Sequence, residues 1–246
     1  MNKKTISSLL LSSALMITAN AANDLPSYGE VNKELKKVVS TQNGGFGLNM
    51  WATIVDRDGI VKTVTFSGKN RAEQWPGSRV ISAQKANTAN AFSLPGLALS
   101  TANLFTATQP GGSLFGLQHS NPVNTTVAYG GNSEKIGTQN DPMVNKKIGG
   151  VNVFGGGLPL YADNGTLLGA IGVSGDSSCA DHNIAWKLRA ALKLDNVPNG
   201  ISSDKNDNIV NDIENGKSKS GWGHPTCSQA ALEISKNFSQ THPINK

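Results

Sequence analysis

Between Lys147 and Asn183 two apolar segments flank an Asp163-Asn164-Gly165 turn, and glycine interrupts both. Val151, Val153 and Phe154 run into Gly155-Gly156-Gly157, after which Leu158, Leu160 and Tyr161 resume the apolar pattern. Leu167, Leu168, Ile171 and Val173 form the return segment, thinned by Gly169 and Gly172. Asn-Gly accepts the positive φ that a tight hairpin turn demands, so the stretch reads as two antiparallel strands. Glycine weakens a strand, and several together imply that another backbone or a ligand comes close. The Ser174–Asp176 corner then leads to Asp181-His182-Asn183, polar residues suited to the start of a helix over Ala180–Leu192.

Upstream, Val31, Leu35, Val38 and Val39 recur at helical spacing over Glu30–Ser40, and Asn43-Gly44-Gly45 ends that helix. Met50–Asp56 and Ile60–Phe66 read as strands joined by an Asp58-Gly59 turn. Trp51, Thr53 and Val55 share one face, Ala52 and Ile54 the other. An alanine-rich helix is expected over Ser78–Phe92, a shorter one over Leu99–Thr108 and a strand over Ser113–Gln118. His119–Asn145 is a long polar loop, and loops of that length in a compact domain are functional or disordered. From Asn196 onward the chain is polar and reads as an irregular arm, with a helix over Ser228–Asn237. Hairpin-joined strands with helices between and outside them predict an α+β sandwich on a five-stranded antiparallel sheet.

Three motifs occur in order. The first is the Ala52–Asp56 hairpin with Asp58-Gly59, and the second is the helical segment Ser82–Ala89 with its Ala-x-Lys-Ala core. The third is Gly155–Leu160 together with Gly169–Gly175. Together they resemble the GlcG/HbpS-like haem-binding or haem-degrading family, whose domain also ends the PduO-type cobalamin adenosyltransferases. The resemblance implies a profilin-like sheet with helices on both faces, a haem or related tetrapyrrole ligand, and homo-oligomers. It covers roughly residues 28–193. The acidic pair usual after the Ser-Gly corner is here Asp181-His182, and the residues beyond Leu194 lie outside the common core.

Residues 1–21 read as an export signal: Lys3-Lys4, an apolar Ile6–Thr18, and small residues at Ala19-Asn20-Ala21. The expected organisation is therefore a signal over 1–21, a domain over 22–194 and an extension over 195–246, in a periplasmic or secreted protein. The apolar run is too short and serine-rich for a membrane span. Net charge is +5; losing Lys3 and Lys4 leaves 20 basic against 17 acidic residues, with no cluster larger than a pair, which argues against a nucleic-acid surface. Cys179 and Cys227 are the two cysteines. In an exported chain they are expected to form a disulfide, adding roughly 4 kcal/mol by loop entropy and tying the extension to the last core helix. The mirror-image pairs Cys179-x-x-His182 and His224-x-x-Cys227 leave a zinc site as the first alternative and free thiols as the second.

Several familiar signals fail. Gly169-x-x-Gly172-x-x-Gly175 lacks the leading G-x-G of a dinucleotide loop, and Gly172–Gly175 is not a nucleophile elbow. No Walker lysine, H-E-x-x-H or C-x-x-C-H is present, so a bound haem would be non-covalent. Such a haem needs an apolar slot, an axial ligand and basic partners for its propionates. His119 and His182 are the axial candidates, with His224 and His242 in the extension behind them; Lys85, ahead of Arg79, is the basic candidate. Gly155, Gly156 and Gly157 are the candidate backbone nest for an anion. The signature hairpin is poor in titratable residues, which favours an exported haem-binding protein over an enzyme acting on haem or a small organic acid. An oligomeric interaction module is the remaining alternative.

Overall fold

The computed structural model describes residues 24–245, so the expected signal over 1–21 lies outside the described residues. Both expected hairpins form. β1 (Trp51–Asp56) and β2 (Val61–Phe66) turn at Asp56–Gly59, where the Asp56 carboxylate accepts the Asp58 and Ile60 amides and Gly59 takes a positive φ. β3 (Gly157–Tyr161) and β4 (Leu167–Ser174) turn around Gly165, with Asn164 Oδ1 accepting the Thr166 amide at 2.9 Å. The three strand pairings of this sheet are antiparallel and the order is β2-β1-β4-β3. The sheet has four strands rather than five. The expected strand at Ser113–Gln118 is instead a run of turns entering a short helix at Leu117–Ser120, because Gly116 adopts a left-handed φ of 88° that no strand tolerates.

The sheet is buried on both faces. On one side Ala52, Ile54, Leu158, Leu160, Ile171 and Val173 meet α1 (Tyr28–Val39) and α3 (Ser178–Ala191). α1 starts with a Ser27/Glu30 capping box and turns Val31, Leu35 and Val38 inward. On the other side Trp51, Val55, Val61, Val64 and Ala170 meet α2 (Ser78–Phe92) through Val80, Ala83, Ala86 and Ala89. Among the described residues no helix is long and apolar enough to cross a membrane.

Glycine makes the α2 contact possible. Gly172 pairs with Thr53 on one side and Gly157 on the other, so side-chain-free backbone lies on neighbouring strands under the helix. A Cβ at Gly172 would sit 1.9 Å from the Ser82 carbonyl oxygen and 2.5 Å from the Ala86 nitrogen, both backbone atoms of α2. At Gly157 it would fall 2.5 Å from the Lys85 carbonyl oxygen. The helix backbone rests directly on the sheet backbone.

The long segment after His119 is ordered over this same helix. It contains a helical turn at Thr125–Tyr129 and sends Ala128, Met143 and Ile148 into the α2 side of the core. Arg79 of α2 forms a buried, two-point ion pair with Asp141, and its Nη1 donates to the Ala128 carbonyl at 2.9 Å. The extension likewise packs inward. Arg189 of α3 pairs with Asp207 at 2.6 Å and 2.8 Å with both side chains fully buried, and Phe238 stacks on Trp186 after helix α4 (Gln229–Lys236).

Gly172→Ala is expected to destabilise the protein by about 3 kcal/mol or more, because neither α2 backbone atom can retreat alone. Gly29→Ala, in α1 with no heavy atom within 4 Å of the new Cβ, should instead stabilise by about 0.5–1 kcal/mol. Urea-denaturation midpoints of the two variants check both signs.

Candidate functional site

Most of the residues singled out by spacing converge on the first turn of α3. Ser177 caps it, and the residues after it reach back to the glycine run. The Gly155 amide donates to Ser178 Oγ at 2.8 Å and the Gly157 amide to Thr101 Oγ1 at 2.9 Å, while the Gly156 carbonyl accepts the Val173 amide. A Cβ at Gly155 would lie 2.4 Å from the Ser178 carbonyl oxygen, and one at Gly156 would lie 3.0 Å from Asp181 Cβ and 3.2 Å from Lys85 Nζ. The run is therefore filled by α2, α3 and Thr101. Its Gly155 and Gly157 amides are spent on the protein's own hydroxyls, so the expected anion nest is not formed.

Lys85 is not a surface partner for a propionate. It is 1% exposed, and its Nζ lies 2.7 Å from Asp181 Oδ2 and 3.1 Å from the Val173 carbonyl oxygen. Asp181 Oδ1 accepts the Asp176 amide at 2.9 Å. Loss of hydration pulls the Lys85 ammonium down and pushes the Asp181 carboxyl up to about 6, against their mutual attraction. Arg79, the other basic candidate, is held by Asp141 as described.

The four imidazoles divide sharply. His182 is fully buried on α3, where Nε2 accepts the Ile209 amide at 3.1 Å and Nδ1 has no hydrogen-bond partner. Burial drives its pKa down to about 3; Asp207 opposes that shift, and Arg189 and His224 add to it. His224 is buried too. Its Nδ1–H donates to the Pro225 carbonyl at 2.8 Å, which leaves Nε2 to accept from Ser178 Oγ at 2.7 Å. Desolvation lowers it to about 4. His242 is half-buried, with Nδ1 3.0 Å from Thr241 Oγ1, and lines a surface cleft of about 600 Å³ shared with Lys37, Lys187 and Asp195. His119 stands on the Leu117–Ser120 turn with an exposed ring that makes no hydrogen bond. The same turn's Leu117 packs on a cluster of Leu99, Leu104, Val151 and Val153 with Phe105 and Trp222, near which Phe115 and Phe154 remain 61% and 47% exposed.

Cys179 and Cys227 form a disulfide, so the two-cysteine, two-histidine zinc arrangement does not exist in this state. His182 is also turned toward Ile209, leaving His224 as the histidine beside the two sulfurs. Ser178, Thr101, Asp141 and Asp207 are site residues that motif reading missed. Ser178 carried a signal in its place at a helix start; the two aspartates lie 62 and 18 residues from the cations they neutralise, and no local pattern marks them.

Buried titrating groups set the acid response. The unfolded chain protonates His182 and His224 near 6.5, whereas the folded chain keeps them neutral to about 3 and about 4. Their contribution to stability is complete above pH 6.5 and lost as pH falls. Asp181 acts in the opposite sense: its contribution is complete below 3.8 and lost as pH rises through about 6. Between pH 6 and 4 the two imidazoles outweigh the Asp181 carboxyl; His242, also lowered by burial, adds to them and Asp195, raised by burial, opposes them, so stability falls as pH falls through this range. Urea midpoints should fall as pH is lowered across this range, and His182→Gln should make that fall shallower.

A family model described as haem degrading protein, HbpS-like, matches residues 35–190. No curated protein matches the chain. Among solved structures, the PduOC–haem complex is similar at 24% identity and a TM-score of 0.44, covering 66% of this chain and 89% of that one. Klebsiella pneumoniae ORFY is similar at 23% identity and a TM-score of 0.45, covering 75% and 97%. A Streptomyces reticuli HbpS double mutant is similar at 15% identity and a TM-score of 0.42, covering 76% and 99%.

Proposed function

The chain belongs to the HbpS-like family of haem degrading proteins, and from that premise we propose that it is an exported protein that binds haem non-covalently through His119. The observation that carries the reading is the family match, which spans the sheet, α2, α3 and the glycine run. His119 is favoured as the axial ligand because its imidazole is exposed and uncommitted, on a turn whose Leu117 packs against an apolar cluster. His182, His224 and Lys85 are each buried and engaged within the chain. Binding is favoured over turnover because the buried carboxylates are engaged: Asp141, Asp181 and Asp207 are paired with cations, Asp176 accepts the Phe46 and Leu48 amides, and Asp195 accepts from the Asn245 side chain.

Haemin titrated into the mature protein is expected to give a shifted Soret band saturating near one haem per chain. His119→Ala should change that spectrum and weaken binding at least about tenfold, while His242→Ala should leave it as it was. A titration indistinguishable from free haemin overturns the reading; an unchanged His119→Ala spectrum overturns the ligand alone. Loss of the Soret band under reductant, with bilin or iron released, would move the protein to the degrading enzymes.

Export rests on the residue pattern over 1–21 and on the disulfide, which oxidising compartments preserve. The exported chain is expected to begin at Ala22, and its intact mass checks this. Self-association, which the family resemblance implies, is read by light scattering of the ligand-free protein.

A further inference from the structure

The disulfide closes beside a third side chain of ligand type. Cys179 Sγ, Cys227 Sγ and a ring nitrogen of His224 lie within 4.8 Å of one another. We propose that reduction of this disulfide creates a three-residue site for a borderline-soft divalent ion of the zinc class. Disulfide and metal are then alternative staples holding the C-terminal extension to α3. The proposal is independent of haem.

Distances permit the exchange. An ion with two sulfur ligands at about 2.3 Å and one imidazole at about 2.0 Å sets its ligand atoms roughly 3.5–3.8 Å apart. The cluster already lies within that neighbourhood, and the Cα–Cα separation of 5.9 Å lets the sulfurs part by side-chain rotation alone. Three further features suit a metal. The Nδ1–H of His224 is tied to the Pro225 carbonyl, the outer hydrogen bond that fixes a ligating imidazole, so Nε2 is the nitrogen that would coordinate once the Ser178 hydroxyl turns away. Each sulfur accepts the other cysteine's amide, Cys179 N to Cys227 Sγ at 3.1 Å and Cys227 N to Cys179 Sγ at 3.2 Å, and Cys179 sits in the first turn of α3. Such donors stabilise thiolates. Finally, Cys227 is exposed while Cys179 and His224 are buried, so reductant and ion share one open side. The fourth position is left to water.

The chemistry balances with an external dithiol. Two electrons and two protons pass from the dithiol to the Cys179–Cys227 bond, yielding two thiols and the oxidised dithiol. Metal binding then expels about two protons as the thiols become thiolates. The one competing interaction is Ser178 Oγ–H, which occupies Nε2 at 2.7 Å and has to turn away.

Cobalt(II) is the probe. Haem-free protein, reduced by a dithiol and freed of it under nitrogen, is expected to bind one cobalt per chain. Binding should bring a thiolate-to-cobalt charge-transfer band and the intense visible absorption of a tetrahedral site; oxidised protein should show neither. His224→Ala should weaken binding at least about tenfold. Ser178→Ala removes the competing hydroxyl and should tighten binding, an effect that a merely structural serine would not produce. Circular dichroism follows the fold throughout, and if His224→Ala does not fold, Ser178→Ala decides. The proposal is overturned by a reduced chain that unfolds, by absence of the charge-transfer band at one equivalent, or by Ser178→Ala binding no more tightly than the parent protein.

Discussion

The contact on which this architecture depends is backbone on backbone: α2 lies against the sheet at Gly172 and Gly157 with no side chain between. Alanine at either position would push an atom into the helix's own carbonyl oxygens. That closeness sets the depth at which Lys85 enters the interior, and so brings its ammonium to Asp181 on α3, on the far side of the glycine run. Two helices on opposite faces of one sheet are thereby joined through a gap that glycine leaves open.

Charge buried in pairs extends this frame to the two segments outside the sheet and its three main helices. Arg79 holds the segment after His119 through Asp141, and Arg189 holds the extension through Asp207. Such pairs add little net stability compared with apolar residues of the same shape, because desolvation offsets most of the attraction. Loss of one partner is costly, since it strands a charge in the interior. Their effect is to specify where irregular chain must lie. The same logic accounts for the neutral imidazoles: His182 and His224 are locked by amide, hydroxyl and carbonyl partners in surroundings that exclude the charged form.

The haem and metal readings make different physical demands. A planar ligand of haem size needs open apolar surface, and Phe115 and Phe154, next in sequence to Leu114 and Val153 of one apolar cluster, are exposed. An ion needs only a few convergent donor atoms, which the α3 hub supplies at the Cys179–Cys227 edge. The hub's centre, at Gly156, is packed by Lys85 and Asp181 and serves neither.

Hairpins, helix periodicity and the α+β class were legible in the residues alone. Asn164-Gly165 and Asp58-Gly59 dictate local dihedrals, and Val31-Leu35-Val38 marks a helical face whatever it packs on. The pairing of Cys179 with Cys227 was legible by count. Ser113–Gln118 misled because Leu114 and Phe115 look like strand, while one left-handed glycine, Gly116, turns the chain. What only the tertiary structure decided was occupancy. Whether three glycines frame a recess or admit a neighbour depends on atoms far away in sequence, and so does whether Lys85 meets water or Asp181. Local sequence specifies conformations; long-range packing alone determines which polar atoms remain free to meet a ligand.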